Sequence, residues 1–172
     1  MDAMTRGLIA DGNTVKVLTI ATEKHPWLPE ELSEEYMAQT RIEALKVDTE
    51  LNRVDALSNI LTGDSYNISR FFSSEFDRLL TDVLRKEVFD LIIFESLFTA
   101  PYLKTVRHLS DGLAILRTHN VEHRIWEQMA QETDALTKRL YLKHLAERLR
   151  GYEVNALKDF DALASISEDD TR

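Results

Sequence analysis

The run DLIIFESLFTAPYLKTVRHLSDGLAILRTHN, residues 90–120, carries the pattern that decides the fold. Asp90–Glu95 (DLIIFE) and Leu113–Thr118 (LAILRT) are short apolar segments of strand length. The segment between them, Leu97–Leu109, is predicted to be a helix, with Pro101 placed near its start because proline is tolerated in a first helical turn. A strand, a helix and a second strand in this order predict two parallel strands joined by a crossover helix.

The rest of the chain repeats this alternation. Thr14–Ala21 is β-branched and nearly all apolar, as in a strand buried on both faces. The other predicted elements are helices at Asp2–Ala10, Asp55–Leu61, 72–84 (capped by Ser73 or Ser74), the segment after Asn120 and 136–159, and strands at Ile42–Thr49 and Ala162–Ser167. We therefore predict an α/β fold with a Rossmann-like parallel sheet and helices on both faces.

Composition limits the classes of function. The 172 residues contain no long linker and no internal repeat, which predicts a single domain over residues 1–172. Without cysteine there is no thiolate zinc site, disulfide or cysteine nucleophile. A net charge of −9 without a basic stripe argues against a nucleic-acid partner, and no apolar run is long enough for a membrane span. No Gly-rich phosphate loop occurs.

The carboxyl ends of the predicted strands indicate where a ligand would bind, since open parallel sheets bind ligands there. Glu95, His119 and Asn120 lie at this rim. A histidine there can hydrogen-bond sugar hydroxyls and titrates near neutrality. Glu95 is a ligand contact, a solvated carboxylate or a cap of the helix Leu97–Leu109, and these alternatives stay open. Helix capping alone would account for Asn120.

A zinc site is the competing interpretation of this rim. The stretch His119-x-x-Glu122-His123 matches the H-x-x-E-H pattern of some zinc peptidases, which needs both histidines on one helix. Because the strand runs directly into His119, we expect His119 at the strand end and His123 in the first turn of the next helix, packed on the sheet rim. We therefore expect no metal site, and zinc hydrolysis is the weaker alternative.

The segment Tyr66–Phe71 (YNISRF) is the other distinctive run. Two aromatic side chains and Arg70 within six residues could hold a polar ligand. Alternatively, Tyr66 and Phe71 pack in the interior while Arg70 makes a surface ion pair. Arg70 is retained as a candidate ligand contact.

Several sequence blocks together resemble one enzyme family. They are YNISRF at 66–71, FDLIIFE at 89–95 with APY at 100–102, LRTHNVEH at 116–123 with Trp126, and RLRGYE at 148–153. This set is similar to the N-terminal half of GT-B-fold, family-four glycosyltransferases, over about residues 7–170. The block Thr118–His123 (THNVEH) is the most specific part of the match.

The resemblance implies transfer of a sugar from a nucleotide-sugar to a glycan or lipid-linked acceptor, in cell-envelope glycan synthesis, with retention and without an essential metal. The N-terminal domain of such enzymes mainly holds the acceptor, and a C-terminal domain holds the nucleotide-sugar. It implies a catalytic role for His119, and acceptor or sugar contacts for Glu95, Asn120 and Arg70. This chain then needs no cofactor of its own, and the full-length enzyme takes a nucleotide-sugar donor.

The chain also departs from the family pattern. The family begins with a strand and a Gly-rich turn, whereas Met1 falls in the first predicted helix, and the donor domain with its Glu-x7-Glu motif is missing. The resemblance thus implies a piece truncated at both ends and lacking the central strand. The edges at Thr14–Ala21 and Asp90–Glu95 would then pair with each other or form a homodimer.

The remaining expectations concern partners and location. We expect a sugar acceptor and the missing C-terminal domain of the same polypeptide as partners. We expect a cytoplasmic location, with peripheral attachment at the inner membrane left open. The alternative function is a non-catalytic Rossmann-like binding or interaction module.

Overall fold

The computed structural model describes residues 2–48, 68 and 71–165. The predicted helix at Asp55–Leu61, together with Tyr66 and Arg70, lies outside these residues. The helices are α1 (Asp2–Ala10), α2 (Glu34–Thr40), α3 (Ser74–Lys86), α4 (Leu103–Leu109), α5 (Glu122–Gln131) and α6 (Leu136–Ala156). The strands are β1 (Leu18–Ala21), β2 (Glu43–Lys46), β3 (Leu91–Glu95), β4 (Leu113–Thr118) and β5 (Ala162–Ser165).

The described strands form two parallel sheets, β1–β2 and β3–β4–β5. The α/β class with parallel pairing is confirmed, and the fold is consistent with a Rossmann-like arrangement. Of the two outcomes expected for the exposed edges, direct pairing of β1 with β3 does not occur among the described strands, which form two separate sheets. Within each sheet all neighbouring strands run parallel, as in a doubly wound fold.

The first strand is shorter than its apolar sequence predicts. The run Thr14–Ala21 becomes a strand only from Leu18, because its partner β2 begins at Glu43. The chain before β2 turns at Arg41, which ends α2 in a left-handed conformation with a φ of 46°. Strand length is thus set by the neighbouring strand and not by the apolar run itself.

Helix α3 is amphipathic and packs its apolar face into the core. Ser73 caps it by accepting a hydrogen bond from the Phe76 N–H, as predicted. Its buried face lies in a cluster formed with β3, β4 and α6, and this cluster includes Phe76, Leu80, Leu84, Phe94, Leu97, Leu116, Leu149 and Phe160. The small sheet joins the same core, because Leu18, Ile20 and Leu45 pack against this cluster.

The crossover segment between β3 and β4 is helical where predicted, but its first part is not an α-helix. Leu97–Tyr102 is a 3-10 helix that contains Pro101, and an α-helix follows from Leu103. Proline has no N–H to donate into a helix ladder, which suits a short, tightly wound segment here. The turn into β4 needs Gly112, because a Cβ at that position would lie 2.2 Å from the Phe89 carbonyl oxygen.

Asp161 joins three elements at the start of β5. Its Oδ2 accepts hydrogen bonds from the Arg107 guanidinium and from the Ala114 N–H of β4, each at 2.7 Å. The hydrogen bond from Arg107, followed by that from Ala114, holds the pKa of Asp161 below its ordinary value. This carboxylate therefore links α4, β4 and β5.

Candidate functional site

His119, Glu95 and Arg117 meet at the carboxyl ends of β3 and β4. The His119 Nε2 lies 2.7 Å from Glu95 Oε2, and Arg117 Nη1 lies 2.9 Å from the same oxygen. Parallel pairing sets Glu95 beside Arg117 in the register, and His119 follows directly after β4. The Glu95 side chain is only 19% exposed, whereas that of His119 is 37% exposed. The carboxylate is thus an inner group that supports a more accessible imidazole.

This arrangement defines what the imidazole can do. A carboxylate ion-paired with arginine is an acceptor, so it favours the ring form in which Nε2 carries the proton. Nδ1 of His119 makes no hydrogen bond within the part of the chain that the structure describes. That nitrogen can accept a proton or a hydrogen bond from a hydroxyl group that approaches the rim.

The backbone next to Glu95 is strained. Ser96 has a φ of 83° and a ψ of 148°, a region that residues other than glycine seldom adopt. It is held there by its N–H, which donates to the Arg117 carbonyl, and by its own carbonyl, which accepts from Thr99 Oγ1. This local conformation ends β3 sharply and leaves Glu95 at the rim.

A second carboxylate cluster fixes the start of α5. Glu153 of α6 is 4% exposed and accepts hydrogen bonds from the N–H groups of Glu122 and His123. Its Oε2 also lies 2.6 Å from His123 Nδ1. A carboxylate that binds the free N–H groups of a helix start acts as a cap, here from another helix.

Glu122 lies beside this second cluster. Burial, followed by the charge of Glu153, raises the pKa of Glu122 above its ordinary value, while His119 acts in the opposite direction. Glu122 thus connects the two clusters electrostatically. Together they place titratable groups along one stretch of the rim.

The predicted site residues are brought together in part. Glu95 and His119 are in contact. Glu95 pairs with Arg117 and His119 and does not cap the following helix, whose cap is Ser96, and its contact with a ligand stays a prediction. Asn120 is exposed at the rim but does not cap α5, whose cap position is Val121, because Glu153 already binds the first N–H groups. Arg70 lies outside the described residues.

The H-x-x-E-H pattern at His119–His123 does not lie on one helix. α5 begins at Glu122, so His119 and His123 do not share a helix. Among the described residues, no group of three or more histidine and carboxylate side chains could hold a metal ion. His123 lies in the first helical turn as expected, although its partner is Glu153 on α6 and not the sheet rim.

Sequence reasoning missed Arg117 and Glu153. Arg117 had no separate signal, because its role depends on the register of β3 and β4. Glu153 did have one, since it continues the buried stripe of α6 formed by Leu142, Ala146 and Leu149. A glutamate at a buried position of a helix face indicates a partner in the core.

Comparison with known proteins gave no match to a protein family, to a curated protein or to a solved structure. Within the described ranges, no helix combines the length and apolar character that crossing a bilayer requires.

Proposed function

We propose that this domain is the acceptor-side half of a glycosyltransferase that moves a sugar from a nucleotide-sugar to a glycan or lipid-linked acceptor. The resemblance of its sequence blocks to family-four enzymes motivates the proposal, and the α/β fold is compatible with it. The observation that carries it is the His119–Glu95 pair at the carboxyl-terminal rim, 2.7 Å apart.

The proposed role of each rim residue follows from its contacts. His119 offers Nδ1 to a hydroxyl of the acceptor or of the transferred sugar. Glu95 orients the ring through Nε2, and Arg117 holds the Glu95 carboxylate in place through their ion pair. Asn120 is exposed beside them and can add a hydrogen bond to the sugar. Arg70 stays a sequence-based candidate for the same ligand.

The donor is assigned to a different part of the enzyme. On the resemblance to family-four enzymes, we assign the nucleotide-sugar to a C-terminal domain of the same polypeptide. A cytoplasmic location, where nucleotide-sugars are made, fits this role. We expect no sugar transfer by these 172 residues alone.

The first experiment follows NMR chemical shifts of the 172-residue chain while simple sugars and glycans are added. A binding sugar should shift the His119 and Asn120 signals, and His119→Ala should weaken binding about tenfold, the effect of losing one hydrogen bond to the ligand. His144→Ala, an exposed histidine on α6, is the matched control and should bind normally.

Turnover provides the second readout. The longer polypeptide that carries the donor domain is assayed with a panel of nucleotide-sugars. His119→Ala should lower its rate by about a hundredfold or more, as expected for loss of a general base. If no sugar binds and no donor is turned over, the glycosyltransferase proposal is wrong, and a non-catalytic binding module becomes the better description.

A further inference from the structure

The two faces of the three-stranded sheet β3–β4–β5 differ in burial. Residues of neighbouring parallel strands that are paired in register point to the same face, and successive residues of a strand alternate between the faces. One face, which we call the open face, therefore carries three pairs of residues from β3 and β4, which are Leu91 and Leu113, Ile93 and Ile115, and Glu95 and Arg117. The opposite, covered face carries Phe94, Ala114 and Leu116, all of them buried.

The covered face packs against the crossover helices. The connections from β3 to β4 and from β4 to β5 run in the same direction across the sheet, so right-handed crossovers place both on one face. Phe94 and Leu116 accordingly share the core cluster with Val106 of α4 and Leu149 of α6. Among the described residues, this cluster includes no side chain of the open face.

The open face is apolar and partly exposed to solvent. Leu91 is 40% exposed and Leu113 is 57% exposed. In β5, Ala162 and Ala164 lie beside β4 on the same face and are exposed as well. A parallel sheet normally buries both of its faces, so these apolar side chains indicate a surface that takes up a partner or a ligand.

The apolar strip on the open face ends at the candidate site. Glu95 and Arg117 are the last paired residues on this face, and His119 bonds to the same Glu95 carboxylate. Glu95 and Arg117 neutralise each other in an ion pair, and the side chains below them on this face carry no charge. From Glu95 back to Leu91 the strip extends roughly 13 Å along the strand. The open face thus joins a hydroxyl-binding group to an uncharged apolar strip.

The size of the open face argues for a small occupant. Three strands of about five residues span roughly 14 Å by 17 Å, an area of about 240 Å². A stable interface between two proteins buries about 800 Å² on each partner, so a second copy of this chain would need much more surface than this face. A single hydrocarbon chain lying along the strands matches both its width and its lack of charge.

We propose that the open face binds the hydrocarbon chain of an amphiphilic acceptor whose hydroxylated head group lies at His119. The ligand class is an alkyl or isoprenoid chain linked to a sugar or another polyol. Leu91 and Leu113 contact the chain at the end of the strip that is distant from the head group. The inference rests on the proposed function, and within it selects a lipid-linked acceptor over a free glycan.

The test titrates the 172-residue chain with methyl, butyl, hexyl and octyl glucosides below the concentrations at which they form micelles. NMR follows the methyl signals of Leu113 and Ile115 and the ring signals of His119. Affinity should rise about twofold for each added CH2 group, because an open face buries one side of the chain and gives half of the free energy of full burial. This dependence on chain length does not require that glucose is the natural head group.

A pair of leucine variants separates the open face from general adsorption of detergent. Leu113→Ser should weaken binding of octyl glucoside about fivefold, because it removes an apolar contact, and should leave binding of methyl glucoside unchanged. Leu163→Ser is the matched control, since Leu163 is 52% exposed and pairs with Leu116, which places it on the covered face. It should bind octyl glucoside as the unsubstituted protein does. The dependence on chain length in the unsubstituted protein needs no variant.

Several results would overturn this inference. One is an affinity that does not change with chain length, and another is an equal loss of affinity in the two leucine variants. Signals of Leu113 that shift with protein concentration alone would show that a second copy covers the face instead.

Failure of the inference is distinguishable from failure of the proposed function. If free glycans bind and the longer polypeptide transfers sugar, but chain length has no effect, only the amphiphilic acceptor is wrong. If alkyl chains bind at Leu113 and no donor is turned over, the open face is a binding surface for amphiphiles and the glycosyltransferase proposal is wrong.

Discussion

At the scale of single residues, Glu153 does the most to position the rim. A carboxylate that is 4% exposed must be satisfied by its surroundings, and this one is bound by His123 and by the N–H groups of two consecutive residues. It therefore replaces the side-chain cap that α5 lacks. The position of the segment between His119 and α5 depends on a residue about thirty positions away in sequence.

Glu153→Ala should lower the free energy of unfolding by about 2–4 kcal/mol, because it leaves buried donors without a partner. Glu147→Ala, at an exposed position of the same helix, should change it by no more than about 0.5 kcal/mol. Urea unfolding measures both. Equal effects of the two variants would show that Glu153 does not act as the cap.

Glu122 makes the stability depend on pH. Its folded-state pKa is raised, so the folded protein binds this proton more readily than the unfolded chain does. The contribution of Glu122 to stability is therefore lost as the pH rises through the folded-state pKa, and near pH 7 the buried charge is unfavourable.

Glu122→Gln should accordingly raise the free energy of unfolding near pH 7, by up to about 1 kcal/mol. The gain should disappear near about pH 3.5, where the carboxyl group is protonated in both states. Unfolding curves at several pH values measure it, with Glu127→Gln on the same helix as control. A gain that persists at low pH would contradict the assignment.

At the scale of elements, substitution of two glycines tests two different contributions to stability, close packing at Gly112 and helix propensity at Gly151. Gly112 sits in the turn between α4 and β4, where a Cβ would overlap the Phe89 carbonyl oxygen at 2.2 Å. Gly151 lies in α6 at an exposed position, and an added Cβ would have no heavy atom within 4 Å beyond its chain neighbours and the backbone of its own helix. The same substitution should thus have opposite effects.

Gly112→Ala should destabilise the protein by about 2 kcal/mol, because the backbone of the turn must shift. Gly151→Ala should stabilise it by up to about 1 kcal/mol through higher helix propensity. Thermal unfolding of the two variants and of the unsubstituted protein measures both changes in stability. Destabilisation by both would show that the exposed face of α6 around Gly151 is covered in solution.

The same elements show what the sequence can and cannot predict. Helix α1 and strand β4 lie where predicted, since local patterns specify them. The length of β1, the separation of the sheets and the true cap of α5 depend on neighbours distant in sequence, so local patterns do not specify them. At the site, His119 and Glu95 could be placed at the rim from strand ends alone, whereas the ion pair of Glu95 with Arg117 depends on the register of β3 and β4.

At the scale of the whole molecule, the two sheets contact each other through side-chain packing within the described residues. Among the described strands, no hydrogen-bond ladder runs from one sheet to the other. Leu18, Ile20 and Leu45 supply the contact of the small sheet with the core, and all are only partly buried. Local stability generally follows such differences in burial and pairing.

The separation of the two sheets should lower the cooperativity of folding. The half with β1 and β2 should melt before the half with β3, β4 and β5, so the chain should depart from two-state behaviour. The chain has 2 tryptophans. Trp27 follows β1, and Trp126 packs against the main core. In single-tryptophan variants, the fluorescence of Trp27 should change at a lower denaturant concentration than that of Trp126. Coincident transitions would mean that side-chain packing alone is enough to make the two halves fold as one unit.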